Sequence, residues 1–235
     1  MQLFYNPDLD HSFSQFIFSE EESKHIIKVL RKKEGDILHI TNGKGYLFEA
    51  KIIQADVKKC KAQISATTKK HRKMHWFHMV VAPTKMNERF EWFLEKATEI
   101  GVNEITPIFC ERSERKVLKK ERMEKVILSA MKQSLQAYLP KLNDPMPFAE
   151  YIKQPKNGLL FIAHCEEGEK MELKRRVAPD KDVTILIGPE GDFSSSEIES
   201  AYEQGFLPVS LGENRLRTET AAIVACATVN MINNG

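Results

Sequence analysis

Residues 183–193 read Val-Thr-Ile-Leu-Ile-Gly-Pro-Glu-Gly-Asp-Phe. The first five are mostly apolar without alternation, which is typical of a strand in a parallel sheet covered on both faces. Gly188, Pro189 and Gly191 then predict a tight loop with an accessible backbone, because glycine has no side chain and proline has a fixed φ. Ligands of parallel α/β sheets bind beyond the carboxyl ends of the strands. The stretch therefore predicts a fold class and a ligand-binding loop together.

The same pattern extends along the chain from residue 76. Short apolar runs predict strands at residues 77–82, 105–109, 159–163 and 209–211. Segments between and after them predict helices at residues 87–100, 119–139, 194–205 and 218–232. Strands that alternate with helices predict a parallel α/β sheet. The last helix has Glu219 as its only charge, so we expect it to be buried in the core or at a subunit interface.

The first 68 residues have a different texture. A turn signal, Asn42-Gly-Lys-Gly45, lies between two alternating segments and predicts a β-hairpin. Ser19 and Glu22 have the spacing of a capping box and predict a helix that runs towards Leu30. We therefore divide the chain into a small β-rich, barrel-like domain at residues 1–68, a basic linker at 69–75 and an α/β domain at 76–235.

Composition excludes several classes of protein. The chain has 235 residues, 42% of them hydrophobic, and no apolar run reaches the roughly 20 residues of a membrane helix. The N-terminus lacks the pattern of a signal peptide, so we expect a cytoplasmic protein without a membrane partner. The four cysteines are far apart and form no Cys-x-x-Cys motif, which favours free thiols and no metal site, while a disulfide between two distant cysteines stays open.

Charge is unevenly distributed. Lys plus Arg number 35 and Asp plus Glu 33, a net charge of +2. Residues 111–141 nevertheless carry nine basic and four acidic residues, and residues 182–214 carry seven acidic and no basic ones. A further basic run occupies residues 69–73. Such runs indicate either a nucleic-acid partner or solvated faces, and the charges alone leave both open.

Several motifs occur together, in one order along the chain. They are Lys24–Arg31 with Gly35-Asp36, Glu95–Val102 with Pro107 and Glu111–Ser113, Lys132–Ser134 with Pro140, Ile187–Phe193 with Ser194-x-x-Glu197, and Leu211-Gly-x-x-Arg-Leu-Arg-Thr-Glu-Thr-Ala221. This series resembles the SPOUT methyltransferases and, within them, the ribosomal RNA small subunit methyltransferase E family. Two positions depart from that family's pattern: Gln136 replaces a common arginine, and Asp192 a usual second glycine.

The resemblance implies a fold and an activity. It implies an N-terminal PUA-like RNA-binding β-barrel and a trefoil-knotted parallel sheet domain. It further implies S-adenosylmethionine as methyl donor, and a homodimer that methylates uridine N3 in small-subunit (16S) ribosomal RNA, with the 30S particle as expected partner. Two alternatives stay open: a SPOUT methyltransferase acting on another RNA, or a non-catalytic RNA-binding or ribosome-assembly factor.

The chemistry of the reaction selects candidate catalytic residues. Uridine N3 carries a proton, so an enzyme must remove it or stabilise the anion that forms. Arg217 could stabilise the uracil anion, and a salt bridge to Glu219 or Glu190 is its structural alternative. Glu190 could accept a proton or hold a donor in place. His164 is a weaker candidate base.

Binding residues follow from the loops and from the basic runs. The predicted cofactor contacts are Ile162, His164, Leu186, Ile187, Gly188, Pro189, Glu190, Gly191, Ser210, Leu211, Gly212, Asn214, Leu216, Arg217 and Thr220. The predicted RNA contacts are Arg31, Lys32, Lys33, Lys70, Arg72, Arg112, Arg115 and Lys116, because phosphates are bound by lysine and arginine.

Overall fold

A computed structural model describes residues 1–72 and 74–234. The chain forms two compact units: residues 1–72 together with Met131–Leu139, and the rest of the chain. Lys73, which belongs to the predicted linker and basic run, and Gly235, at the end of the predicted α/β domain, lie outside the described residues.

The first unit is a curled half-barrel of strands. Its elements are β1 (Leu3–Tyr5), β2 (Gln15–Ile17), α1 (Glu20–Lys24), a π-helical turn (His25–Val29), β3 (Ile37–Thr41), β4 (Tyr46–Gln54) and β5 (Lys61–Lys69). The strand order is β1-β3-β4-β5-β2, with β1 parallel to β3 and the other neighbours antiparallel. Its core includes Phe4, Ile26, Ile40 and Phe48.

The predicted hairpin is present in this unit. Strands β3 and β4 pair across residues 42–45. The Asn42 side chain accepts hydrogen bonds from the backbone N–H groups of Lys44 and Tyr46, at 2.9 and 3.2 Å. Ser19 caps α1 as predicted, with its hydroxyl 3.2 Å from the Glu22 nitrogen. The α-helix does not reach Leu30, however, because it widens into the π-helical turn after Lys24.

The segment after the long basic helix also belongs to the first unit. That helix, α3, covers Lys120–Gln133, whereas the sequence predicted a helix up to residue 139. The prediction was too long because Leu135 has a left-handed backbone (φ 57°), which ends the helix. Residues 137–139 instead bond to the hairpin turn, through Gly45 N–H to the Ala137 carbonyl and Leu139 N–H to the Gly43 carbonyl, each at 2.9 Å.

Glycine makes that approach possible at Gly45. Its φ is 99°, and a Cβ there would lie 2.4 Å from the Tyr138 ring. Tyr138 passes over this position and donates its hydroxyl hydrogen to the Lys70 carbonyl at 2.9 Å. Any larger residue would displace the ring, so Gly45 and Tyr138 depend on each other.

The second unit is a parallel α/β sheet. Its elements are β6 (Phe77–Val81), α2 (Asn87–Ile100), β7 (Glu104–Phe109), α3 up to Ala130, β8 (Lys141–Leu142), β9 (Met146–Pro147), α4 (Phe148–Tyr151), β10 (Leu159–Ala163), β11 (Met171–Glu172), α5 (Leu173–Arg176), β12 (Val183–Ile187), α6 (Ser195–Glu203), β13 (Leu207–Ser210) and α7 (Thr218–Asn234). The strand order is β11-β13-β10-β12-β6-β7-β8, and β9 pairs with β7.

Burial explains the pattern of the central strands. Every residue of β12 is buried, which agrees with the unbroken run of the sequence. Side chains on one face, such as Leu186, pack with Phe193, Ile198 and Phe206. Helix α7 packs against α2 and buries Ala222, Ala225, Cys226 and Val229. Among the described residues, no helix is long and apolar enough to cross a membrane.

A polar cluster lies at the amino ends of β6 and β7. Glu104 accepts hydrogen bonds from Lys141 Nζ, Asn143 Nδ2 and Trp76 Nε1 at 2.7–2.8 Å. Burial opposes its ionisation, but these bonds prevail and lower the pKa of Glu104 to about 2. His78 shares a 2.7 Å hydrogen bond with Thr106, and burial lowers its pKa to about 4. His78 is therefore a neutral ring in a half-buried position.

This burial predicts a pH-dependent stability. His78 titrates near 6.5 when unfolded and about 4 when folded, so its contribution is complete above pH 6.5 and is lost as pH falls towards 4. We expect the free energy of unfolding to fall by about 3 kcal/mol at most from this group. The unfolding free energy of His78→Gln, measured by chemical denaturation, should not show this loss as pH falls. The exposed control His71→Gln should show it as the wild type does. Equal pH profiles for wild type and His78→Gln would contradict the assignment.

Candidate active site

Three loops meet at one edge of the parallel sheet. Strand β10 lies between β12 and β13, with Ala163 in register with Ile187 on one side and Val209 on the other. Because all three strands are parallel, the loops that follow them start at the same edge. These loops, at residues 164–170, 188–194 and 211–217, line a cavity of about 780 Å³. That volume lies within the range of small-molecule sites.

The loop after β12 is held by close packing. A Cβ at Gly188 would lie 3.0 Å from two ring carbons of Phe193, which is fully buried. Phe193 packs in turn against Phe148. The turn is closed by the Asp192 N–H, which donates to the Pro189 carbonyl at 2.9 Å. The absence of a side chain at Gly188 is therefore a packing requirement.

Glu190 has one anchored and one unpaired oxygen. Its Oε1 accepts the backbone N–H of Lys85 at 2.9 Å. Its Oε2 is buried and has no hydrogen-bond partner among the described residues. Glu190 also lines the cavity. A buried acceptor without a partner is costly, so this oxygen is suited to bind a donor supplied by a ligand.

Arg112 and Arg115 hold the loops in place. Arg112 Nη1 donates to the carbonyls of Gly191 and Phe193, at 3.3 and 3.2 Å. Arg115 donates from Nε to the Thr84 carbonyl at 2.9 Å and from Nη2 to that of Lys85. Arg112 thus supports the loop that carries Glu190, and Arg115 supports the Lys85 backbone whose N–H binds the Glu190 carboxylate, roles that the sequence did not reveal. Their predicted contact with RNA stays a prediction.

The predicted capping box is confirmed and has a second role. Ser194 accepts the Glu197 N–H at the start of α6, and Glu197 Oε2 accepts the Ser194 N–H at 2.9 Å. The other oxygen of Glu197 accepts the backbone N–H of Glu111 at 2.9 Å. One carboxylate therefore fixes the start of α6 and the loop after β7 together.

Arg217 lies on the wall of the cavity with its guanidinium exposed. The salt bridges considered as its alternative are not formed: Glu219 faces Arg89 at 3.7 Å, and Glu190 bonds to Lys85. Within residues 1–72 and 74–234, Arg217 has no ion-pair partner. Its charge is therefore available to a ligand.

His164 also lines the cavity. Its Nε2 shares a 2.8 Å hydrogen bond with the Tyr202 hydroxyl, and its Nδ1 is buried without a partner in the described part of the chain. Burial lowers the pKa of His164, and the charge of Lys170 lowers it further. The neutral ring can donate or accept at Nδ1 according to its tautomer.

The structure brings most of the predicted cofactor residues together. Those that line the cavity are His164, Ile187, Gly188, Pro189, Glu190, Ser210, Leu211, Gly212, Asn214, Leu216 and Arg217. Four do not line it: Ile162 and Leu186 are fully buried in the core, Gly191 packs against Arg112, and Thr220 lies in the first turn of α7. Ile162 and Leu186 are the next-to-last residues of β10 and β12, and both side chains belong to the core cluster that contains Phe193 and Phe206.

Other lining residues were missed. They are Ala163, Cys165, Lys170, Asp192, Val209, Glu213, Arg215, Thr218 and Ala221. Most of them directly flank predicted positions, so widening each loop by one or two residues would have included them. Lys170 is the exception, because nothing in its local sequence indicates that it lines the cavity.

The remaining basic candidates are mostly exposed. Arg31 has a left-handed backbone (φ 54°), and it and Lys33 extend into solvent after the π-helical turn. Lys32 is half-buried, whereas Lys70 and Lys116 are exposed. Arg72 lies over the Tyr138 ring at 5.6 Å, a cation–π contact.

Metal and disulfide chemistry have no counterpart in the described structure. No group of three or more histidine, cysteine, aspartate or glutamate side chains in residues 1–72 and 74–234 could hold a metal ion. None of the four cysteines, all of which lie within the described residues, forms a disulfide.

Comparisons with known proteins cover both units. A family model described as RNA methyltransferase domain matches residues 70–230, and one described as RNA methyltransferase PUA domain matches residues 18–65. The chain is 33% identical to the ribosomal RNA small subunit methyltransferase E of Buchnera aphidicola subsp. Acyrthosiphon pisum (strain APS), over 95% of this chain and 90% of that protein.

Two solved structures are similar over nearly the whole chain. One, named a probable rRNA-methyltransferase from Porphyromonas gingivalis, has 43% identity and a TM-score of 0.91, and covers 99% of this chain and 98% of its own. The other is a candidate methyltransferase from Legionella pneumophila, solved in complex with the bound cofactor SAM. It has 30% identity and a TM-score of 0.87, and covers 98% of this chain and 97% of its own.

The packing of Gly188 predicts a sensitive position. We expect Gly188→Ala to destabilise the fold by about 1–3 kcal/mol, because the added methyl group overlaps the buried Phe193 ring. Urea denaturation measures this loss. Gly191→Ala is the comparison, because its Cβ would meet the Arg112 Cβ at 3.1 Å and the Arg112 carbonyl oxygen at 3.3 Å rather than a buried ring. A larger loss for Gly191→Ala would show that the loop, rather than the core contact, is limiting.

Proposed function

Since this chain belongs to the RNA methyltransferase family, we propose that it transfers the methyl group of S-adenosylmethionine to N3 of a uridine in small-subunit ribosomal RNA. The name of the Buchnera relative supports ribosomal RNA of the small subunit as the substrate class. The observation that carries the proposal is the cavity itself, whose lining includes the unpaired Arg217 guanidinium and Glu190 with its free oxygen.

The cavity fits the proposed methyl donor. The Legionella relative was solved with SAM bound, and this chain resembles it over nearly its full length. The buried, unpaired His164 Nδ1 is a polar contact that a ligand with amino, carboxylate and hydroxyl groups could satisfy. The loops at residues 188–191 and 210–216 would hold it. When bound, it supplies an electrophilic methyl group on a sulfonium.

Arg217 and Glu190 have different roles in the proposed transfer. The reaction forms a bond from N3 to the methyl carbon, breaks the carbon–sulfur bond and releases the N3 proton. The Arg217 guanidinium is positively charged, so it stabilises the negative charge that develops on the uracil oxygens. Glu190 Oε2 accepts the N3 proton, with the carboxylate oriented by the Lys85 N–H.

The N-terminal unit supplies RNA binding in this proposal. The match to an RNA methyltransferase PUA domain supports the assignment. The division proposed is an RNA-binding domain at residues 1–68, a linker at 69–75 and a catalytic domain at 76–235. Arg31, Lys32, Lys33, Lys70, Arg72 and Lys116 then contact phosphates, and Arg112 and Arg115 do so only with the guanidinium nitrogens that their carbonyl bonds leave free.

We also propose a homodimer that acts in the cytoplasm on the 30S particle. Helix α7 supports the dimer, because Ile223, Val224 and Ala227 are only half-buried and Met231 is 72% exposed. A second copy is the occupant that would remove this apolar surface from water. Sedimentation equilibrium measures the mass in solution, and a monomer at micromolar concentration would reject the dimer.

Mass-spectrometric mapping tests the activity. Purified protein, S-adenosylmethionine and unmodified 30S particles should yield N3-methyluridine in the ribosomal RNA. Methylation of free transfer RNA instead would assign another RNA substrate. Methylation of a ribose hydroxyl would assign another acceptor atom. Absence of S-adenosylmethionine binding by calorimetry would leave a non-catalytic RNA-binding or assembly factor.

Arg217 allows a matched comparison with Arg215. Both arginines are exposed and line the cavity on the same loop. We expect Arg217→Ala to lower turnover by about a hundredfold at saturating donor, because it removes the charge that faces the uracil anion. Calorimetric affinity for S-adenosylmethionine should stay near normal, and Arg215→Ala should have a much smaller effect on turnover. Unchanged turnover in Arg217→Ala would remove that residue from the mechanism.

The N-terminal lysine and arginine cluster predicts a salt-dependent contact. Arg31→Asn together with Lys33→Gln should weaken RNA binding roughly tenfold at low salt and reduce the slope of log affinity against log salt by about 2. Asparagine is chosen because it tolerates the left-handed backbone of Arg31. Lys58→Gln with Lys59→Gln is the control, since both lysines are exposed on the same unit. Equal losses for the two pairs would show only a nonspecific effect of charge.

A further inference from the structure

Asp192 occupies an unusual place in the loop after β12. Its backbone is left-handed, with φ 65°, a conformation that aspartate tolerates better than most side chains. The side chain is half-buried and lines the cavity. The carboxylate therefore lies where a ligand, a neighbouring loop or both can contact it.

Both carboxylate oxygens are engaged by backbone N–H groups. Oδ1 accepts the N–H of Phe193 at 2.9 Å, and Oδ2 accepts that of Cys165 at 2.7 Å. Cys165 lies two residues beyond β10, whereas Asp192 lies five residues beyond β12. The second bond thus connects two loops of the cavity through a charged acceptor, which is the stronger kind of hydrogen bond.

The segment joined in this way carries His164. The ring of His164 is held on its Nε2 side by Tyr202 and has a buried, unpaired Nδ1. A neighbouring bond, from the Ser195 hydroxyl to Glu166 Oε1 at 2.6 Å, fixes the same segment to the start of α6. Asp192 and Glu166 therefore hold residues 164–166 against the loop after β12 from two sides.

We infer that Asp192 is a positioning residue of the donor site, which fastens the Cys165 backbone so that His164 Nδ1 is held ready for a hydrogen bond with the methyl donor. This inference rests on the proposed function, because it takes S-adenosylmethionine as the ligand. Asp192 acts through His164 and Cys165, by fixing their backbone, and not by attracting the sulfonium charge.

Asp192→Gly is the informative variant. Glycine adopts the left-handed backbone without strain, so the variant removes the carboxylate and keeps the turn. We expect the calorimetric Kd for S-adenosylmethionine to rise about tenfold, the order expected for the loss of one charge-assisted hydrogen bond. Asp192→Asn should lie between, because its single amide oxygen can accept only one of the two bonds.

The kinetic and exchange readouts separate positioning from general destabilisation. The KM for the donor should rise with the Kd, whereas kcat at saturating donor stays within about twofold of wild type. Hydrogen exchange at the Cys165 amide should accelerate. Asp180→Gly is the matched control, because Asp180 is an exposed aspartate with φ 55° that does not line the cavity, and it should leave donor affinity unchanged.

The demethylated product distinguishes position from charge. S-adenosylhomocysteine is uncharged at sulfur, so a positioning role predicts the same loss of affinity for it as for the donor. A loss confined to the cationic donor would overturn the inference, as would wild-type affinity in Asp192→Gly. If the wild-type protein binds neither compound, the proposed function and this inference are both rejected. Normal wild-type binding with an unaffected Asp192→Gly rejects the inference alone.

Discussion

The parallel pairing of β10 with β12 and β13 is the constraint on which the site depends. Ala163 is in register with Ile187 and Val209, so the three strands end within a few residues of one another. Loops that are far apart in the sequence therefore enclose one cavity. A register shift of one residue would move the loops and also turn the buried side chains of β12 towards the wrong face.

Hydrogen bonds to loop backbone then convert this convergence into a fixed geometry. Arg112, Arg115 and Glu197 each bond to backbone groups of two different residues. Buried or partly buried backbone groups must find partners, and long side chains from the loop after β7 supply several of them. The basic segment at residues 111–141 therefore has fewer unpaired charges than its net charge suggests. Arg122 pairs with Glu91, and Lys120 pairs with Asp144.

Sequence patterns located the three strands that carry the site, although the run at 209–211 overlaps β13 (Leu207–Ser210) at only two residues. The runs at 159–163 and 183–187 match β10 and β12 residue for residue, because buried parallel strands leave an uninterrupted apolar signal. The end of α3 was not predictable in this way. Helix α3 ends before Leu135, whose backbone is left-handed, and residues 137–139 then bond to the first unit. The Thr41 hydroxyl, for example, donates to the carbonyl of Ala137, 96 residues further along the chain.

The partners of individual polar groups were likewise beyond the sequence. The residues that resemble a family motif located Glu190 and Arg217, but which oxygen of Glu190 is free depends on the Lys85 N–H after β6. The bond from Asp192 to Cys165 depends on a strand that ends 29 residues earlier. Such pairs form only when the sheet brings the loops together, so the local sequence pattern does not predict them.

Because residues 131–139 belong to the first unit, that unit cannot complete its fold early in synthesis on the ribosome. The hairpin turn at residues 42–45 meets its partner segment only after Leu139 has left the ribosome. During synthesis, the Tyr138 side of that turn stays uncovered while almost a hundred further residues are added. The N-terminal unit is thus completed by the second half of the chain, and residues 1–72 expressed alone would lack part of their own fold.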